Sequence, residues 1–134
     1  MPSPGPGGAG PSDSSAGLVD DAERAVARPP VAASALGDDA VRSALAGMPG
    51  WSGSIAGLER QWRFLSHPAA IAFIQACVAG VEARNHHPEW HNVYDRVSVR
   101  LRTHDAGDRV TGQDLDLARY LDQQARAHGE VNPL

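Results

Sequence analysis

Four of the six histidines fall between positions 86 and 104, and no other cluster of titratable residues in the chain competes with them. His86 and His87 are adjacent, and Pro88 stiffens the backbone behind them, so two imidazoles can be offered to one cavity from different angles. Glu82 stands four residues before His86, which places both on one helical face if a helix reaches that far, with the carboxylate orienting the ring. His104 follows a strand-like stretch at the start of a turn, a common place for a functional residue on a rigid scaffold. Imidazole can give or take a proton near neutral pH, so Glu82, His86, His87 and His104 form a candidate acid–base site.

Zinc is the competing reading, because three histidines and a carboxylate suit that metal. Neither an H-E-x-x-H motif nor a cysteine pair occurs, and Pro88 interrupts the helical spacing of His87 and His91. Acid–base use is therefore preferred, with no metal. His67, His91 and His128 are read as surface or hydrogen-bonded residues. Cys77, the single cysteine, is read as a buried and inert thiol. Gly50-Trp51-Ser52-Gly53-Ser54 is not a G-x-S-x-G nucleophile elbow, and no phosphate-cradling glycine pattern appears. Arg96, Arg100 and Arg102 could bind an anion or RNA, but they are already explained as the polar face of a half-buried sheet.

The elements that must position these residues follow from periodicity. Asp38 is a plausible cap for a helix carrying Val41, Ala44 and Leu45, which Gly47 and Pro49 end. A short strand is expected between Trp51 and Gly57. Leu58, Trp62 and Phe64 then alternate with Glu59, Gln61 and Arg63, the period of a strand with one buried face. Ser66 caps a second helix, with Pro68 in its first turn and Ile71, Ile74, Val78 and Val81 as its buried stripe. That helix should end near Asn85. From Val93 the period returns to two, with Val97, Val99 and Leu101 inward. Thr111 and Asp114 resemble a capping box, and Leu117, Ala118, Leu121 and Ala125 form the stripe of a last helix. The order predicts an α+β fold, αββαββα, with three helices on one face of a four-stranded antiparallel sheet.

The chain of 134 residues allows one domain. Residues 1–35, rich in Pro, Gly and Ala, predict a disordered leader, with at most a helical turn or two between Val19 and Ala27; residues 36–134 predict the folded domain. Twelve arginines, no lysine and 16 acids give a net charge of -4, which argues against nucleic acid as the partner. No apolar run is long enough to cross a membrane, and no secretory signal is evident. A cytoplasmic location is expected. A small core and the open edges of its sheet favour a homodimer or homotetramer.

E-A-R-N-H-H-P-E-W-H-N-V-Y, from Glu82 to Tyr94, resembles the signature of the pterin-4a-carbinolamine dehydratases. The spacing continues from Tyr94 to His104 and from His104 to Asp114, ten residues each, with L-E-R-Q-W-R-F upstream and D-L-A-R-Y-L downstream. The resemblance covers Leu36 to Ala127. It implies dehydration of a 4a-hydroxytetrahydropterin, the spent cofactor of aromatic amino acid hydroxylases, to the quinonoid dihydropterin, without metal or other cofactor. It implies active-site histidines at His86, His87 and His104, a supporting acid at Glu82, and further motif positions at Trp90 and Asp114. His86 and His104 would transfer protons while His87 orients the pterin. Asn85, His91 and Asp95 depart from the family's usual residues, and Asp95 would add a carboxylate near the site. The alternatives are a non-catalytic dimerisation or pterin-binding module of the same fold, and an enzyme acting on another pterin. The resemblance also implies that animal members serve, besides their activity, as the dimerisation cofactor of a homeodomain transcription factor, a role not assumed for this chain.

Overall fold

In a computed structural model of the chain, the described residues are 34–131. The leader expected over residues 1–35, including the turn at Val19–Ala27, lies outside them except for its last two residues. The order is α1 (Asp38–Ala46), β1 (Ser52–Ser54), β2 (Gly57–Arg63), α2 (His67–Arg84), β3 (Glu89–Val93), β4 (Arg96–Leu101), a short 3-10 turn (His104–Ala106) and α3 (Gly112–Ala127). The strands form one antiparallel sheet in the order β1-β2-β4-β3. This is the α+β architecture that the alternating patterns predict. Among the described residues no helix is long and apolar enough to cross a membrane.

Period-two patterning makes one sheet face apolar. Leu58 and Trp62 of β2 and Val97, Val99 and Leu101 of β4 are buried beneath the helices, and Leu117, Ala118, Leu121 and Ala125 of α3 join the same core. Phe73 of α2 lies at the centre of an aromatic chain. Its ring stacks on Phe64 at 4.9 Å and meets the edges or tilted faces of Trp62 at 5.1 Å and Trp90 at 6.0 Å. Trp90 thereby fastens β3 to α2, directly after the His86-His87-Pro88 segment.

Three local expectations change. Gly37, not Asp38, is the N-cap of α1; Asp38 and Asp39 sit in its first turn, where negative charge meets the positive end of the helix dipole. β3 begins at Glu89, immediately after Pro88, several residues before the expected return to period two. The largest change is the orientation of α2. Its buried residues are Ala70, Phe73, Cys77, Gly80 and Val81, whereas Val78 is 53% exposed. The helix carries apolar residues on every side, so its sequence periodicity does not select the face that packs. Gly80 selects it: a Cβ there would lie 2.1 Å from Cζ of Tyr120 on α3, so a bare backbone is what lets the two helices meet.

One charged residue of the sheet points inward. Arg60 of β2 is in register with Val99 of β4 and shares the core side with Leu58 and Trp62. It donates to Asp122 Oδ1 at 2.9 Å, to Glu130 Oε2 at 2.7 Å and to the Pro49 carbonyl at 3.0 Å. Trp51 and Trp62 also donate their indole N–H groups to Asp122. Desolvation of the guanidinium is thus offset by two carboxylates and a carbonyl.

Candidate active site

The site is built on two helix ends and one loop. α2 closes on Asn85, which adopts left-handed angles (φ 49, ψ 43), with Asn85 N–H donating to Glu82 O and His86 N–H to Val81 O. These two bonds are the pattern of a glycine-type helix stop, and Asn is one of the few residues that accept that conformation at low cost. The reversal takes His86 off the helical path. Glu82 and His86 therefore do not pair as predicted from their spacing: Glu82 Oε2 lies 2.7 Å from Nε2 of His87 instead. Both residues of that pair are more than half exposed.

His86 turns to α3. Its Nε2 lies 2.6 Å from Oδ1 of Asp114, and its side chain is only 11% exposed. Asp114 occupies the third position of α3 and is fully buried, closing the capping box with Thr111 that the sequence predicts. Its other oxygen, Oδ2, accepts from the Thr111 N–H at 2.9 Å and from the Thr103 hydroxyl at 2.8 Å. A carboxylate only accepts, so the His86 proton facing it resides on Nε2. Nδ1 of His86 makes no hydrogen bond to any described residue, which leaves it for a ligand.

His104 opens the 3-10 turn and is 91% exposed. Its Nδ1 lies 3.1 Å from Oδ1 of Asp108, whose own backbone is left-handed (φ 59). The hydrogen bond and charge of His104 hold the Asp108 carboxyl below the ordinary carboxylate range, with Arg102 adding to the effect. Thr103 N–H donates to Arg109 O and so closes the loop that carries the turn.

Each of the three imidazoles is thus tied to a different carboxylate: His86 to Asp114, His87 to Glu82, His104 to Asp108. His86 and the His104 loop are joined through Asp114 and Thr103, while His87 stands on the exposed side of the α2 end. Among the described residues no group of three His, Cys, Asp or Glu side chains is placed to hold a metal ion. Spacing did not single out Asp108 or Thr103, although Asp108 is four residues from His104, as Glu82 is from His86. Asp95 is turned to Arg63 at 3.3 Å. Cys77 is fully buried, and burial pushes its thiol up to about 12, so no thiolate forms near neutral pH.

The arginine row is neutralised on the open face of the sheet. Arg102 lies 2.9 Å from Glu89, Arg100 3.7 Å from Glu59 and Arg96 4.0 Å from Asp95. A hollow of about 530 Å³ on that face is lined by Glu59, Gln61, Glu89, His91, Ser98 and Arg100 among others. None of the three candidate histidines borders it.

The family described as pterin 4 alpha carbinolamine dehydratase matches residues 34–124. A protein of Opitutus terrae provisionally named as such a dehydratase is 46% identical over 83 residues, 62% of this chain and 86% of that protein. A similarly named protein of Solibacter usitatus is 39% identical over 90 residues, covering 67% of this chain and 94% of its own. The crystal structure of a transcriptional coactivator/pterin dehydratase from Brucella melitensis superposes with a TM-score of 0.64 at 32% identity, over 67% of this chain and 97% of that one. Sharing sequence over most of the length of these relatives, and the sheet-and-helix order of the solved one, the chain belongs to the pterin-4a-carbinolamine dehydratase family.

Proposed function

We propose that this protein dehydrates a 4a-hydroxytetrahydropterin to the quinonoid dihydropterin and water. The C4a–O bond breaks, the leaving hydroxide takes a proton, N5 loses its proton and a double bond forms between N5 and C4a. No electrons are gained or lost overall, so the reaction calls for no redox cofactor, and the proposed reaction uses no metal. It calls for one group that donates to oxygen and one that accepts from nitrogen, the work of an imidazolium and an imidazole. After one turnover their protonation states are exchanged, and solvent or a direct transfer restores them.

The observation that supports this reading is the His86–Asp114 contact. A buried carboxylate holds Nε2 and leaves Nδ1 as the working nitrogen. His104, exposed at the adjoining loop, is the proposed second proton-transfer group. His87, on the outer side and tied to Glu82, is proposed to orient the pterin. Purified full-length protein should accelerate dehydration of 4a-hydroxytetrahydropterin above its measurable spontaneous rate, and chelators should leave that rate unchanged. No acceleration would favour a binding role instead, to which the word coactivator in the name of the Brucella melitensis relative also points.

The same reading includes a cytoplasmic homodimer or homotetramer. Among the described residues β1 and β3 are the edges of the sheet, and the outer side of α2 leaves Ala72, Val78 and Ala79 exposed. A monomer by light scattering across micromolar concentrations would remove the oligomer.

A further inference from the structure

The buried hydroxyl of Thr103 is not explained by the helix cap it touches. A capping box needs only Thr111 and Asp114, whose reciprocal bonds already satisfy the start of α3. Thr103 comes from another part of the chain, just after β4, and is only 4% exposed. Its Oγ1 lies 2.8 Å from Asp114 Oδ2 and 2.7 Å from Thr111 Oγ1.

The direction of this chain of bonds follows from proton counting. The Gln113 N–H can only donate, and it donates to Thr111 Oγ1 at 3.2 Å. Asp114, as a carboxylate, can only accept, so the single Thr103 hydroxyl proton goes to Oδ2. Thr103 Oγ1 must then accept the Thr111 hydroxyl proton. The sequence Gln113 N–H to Thr111 to Thr103 to Asp114 therefore runs one way and ends on the carboxylate whose other oxygen faces His86 Nε2. Through its backbone the same threonine accepts from the Ala106 N–H at 3.1 Å and donates to Arg109 O, shaping the turn that presents His104. One residue thus ties the carboxylate behind His86 to the loop of His104.

We propose that Thr103 is a positioning residue for the His86 imidazole, acting through Asp114, with Thr111 setting the direction of its hydroxyl. Oδ2 receives two donors on one side, which stops the carboxylate from rotating and keeps Oδ1 on Nε2. This rests on the dehydratase reading only for its kinetic consequence; the orientation of the ring can be read without substrate.

The test compares Thr103→Val, which keeps the shape and removes the hydroxyl, with Thr103→Ser, which keeps the hydroxyl. In ¹⁵N NMR of the substrate-free full chain, wild type and Thr103→Ser should show His86 protonated on Nε2. Thr103→Val should shift or broaden those ring signals. In the assay Thr103→Val should lower kcat about tenfold with KM little changed, the low end of the effect of losing a partner behind a functional imidazole. Thr103→Ser should restore it. If Thr103→Val does not fold, Thr103→Ala against Thr103→Ser makes the same comparison. Unchanged His86 ring signals in the folded variant, or a Ser variant as impaired as the Val one, would overturn the proposal. Failure of the dehydratase reading looks different: His86→Ala itself would then keep the wild-type rate while the ring signals still responded to Thr103.

Discussion

His86 Nε2 and Asp114 Oδ1 are 2.6 Å apart, and this contact joins the end of α2 to the first turn of α3. The same carboxylate therefore serves stability, as a helix cap, and the candidate site, as the partner that sets which ring nitrogen is free. Those two roles respond differently to substitution.

Asp114→Ala removes the cap and leaves the Thr111 N–H and the Thr103 hydroxyl buried without their acceptor. Loss of a cap costs about 1 kcal/mol and a buried unpaired group about 1–3 kcal/mol, so urea unfolding should show a loss of about 2–4 kcal/mol. Asp114→Asn keeps one oxygen acceptor and should lose less stability. It should still slow turnover, because an amide N–H turned to His86 would favour the opposite tautomer.

If His86 and His104 transfer the protons, replacing either with Ala should lower kcat by about 10²-fold or more. The double variant should lose far less than the product of the two, since groups acting in one step are not additive. Rates must be compared with the spontaneous reaction. Wild-type rates in both single variants would end the acid–base assignment.

Glu82 acts on a different ring from the one its spacing suggests. Its contact with His87 at 2.7 Å places it with the group proposed to orient the pterin. Glu82→Gln and His87→Ala should therefore both raise KM more than they lower kcat, His87→Ala by more. A fall in kcat alone for Glu82→Gln would return that carboxylate to His86.

What the residue pattern made legible was local and periodic. Ser66 accepts from Ala69 N–H as a cap should, the Thr111–Asp114 box is formed, and the alternation from Val97 to Leu101 gives a strand with one buried face. Illegible were the features that depend on a partner or on a single backbone angle. That the helix ends near Asn85 was legible, but not that Asn85 ends it in a left-handed turn, and that one conformation redirects His86 from Glu82 to Asp114. Arg60 fills an inward slot that a period-two reading assigns to an apolar residue, because its partners Asp122 and Glu130 lie 62 and 70 positions away. In α2 the burial of Cys77 was expected, but the exposure of Val78 was not; the close approach of Tyr120 to Gly80 marks the side that is covered.

That approach gives a stability prediction. Gly80→Ala would gain about 1 kcal/mol of helix propensity, but its Cβ would meet the Tyr120 ring at 2.1 Å. Tyr120 cannot yield freely, since the Arg84 guanidinium lies 4.4 Å from its ring centre and its hydroxyl reaches Ala76 O. Overpacking of this kind costs about 1–3 kcal/mol, so the variant should be less stable than wild type in chemical denaturation. A more stable Gly80→Ala would mean that the helices separate without loss.

The pair His104 and Asp108 carries a pH signature that tests its geometry apart from turnover. Asp108 is exposed; the hydrogen bond from His104 lowers its titration most, desolvation opposes that, and the charges of His104 and Arg102 lower it further. A carboxyl whose folded value is depressed contributes stability above its unfolded value, near ~3.9 for Asp. That contribution is lost as pH falls through the lower folded value. The pair should therefore be intact across the neutral range and open only in acid below the ordinary Asp midpoint. Carbon-detected NMR of the Asp108 carboxyl should place its midpoint below that of an unperturbed Asp. His104→Ala should move it back most of the way, leaving the smaller effect of Arg102. Because the group is exposed, added salt should weaken the depression in the wild type. An Asp108 midpoint that is ordinary in the wild type and unmoved by His104→Ala would show that the His104 ring does not rest on this carboxylate in solution, and that its orientation at the loop is set by something else.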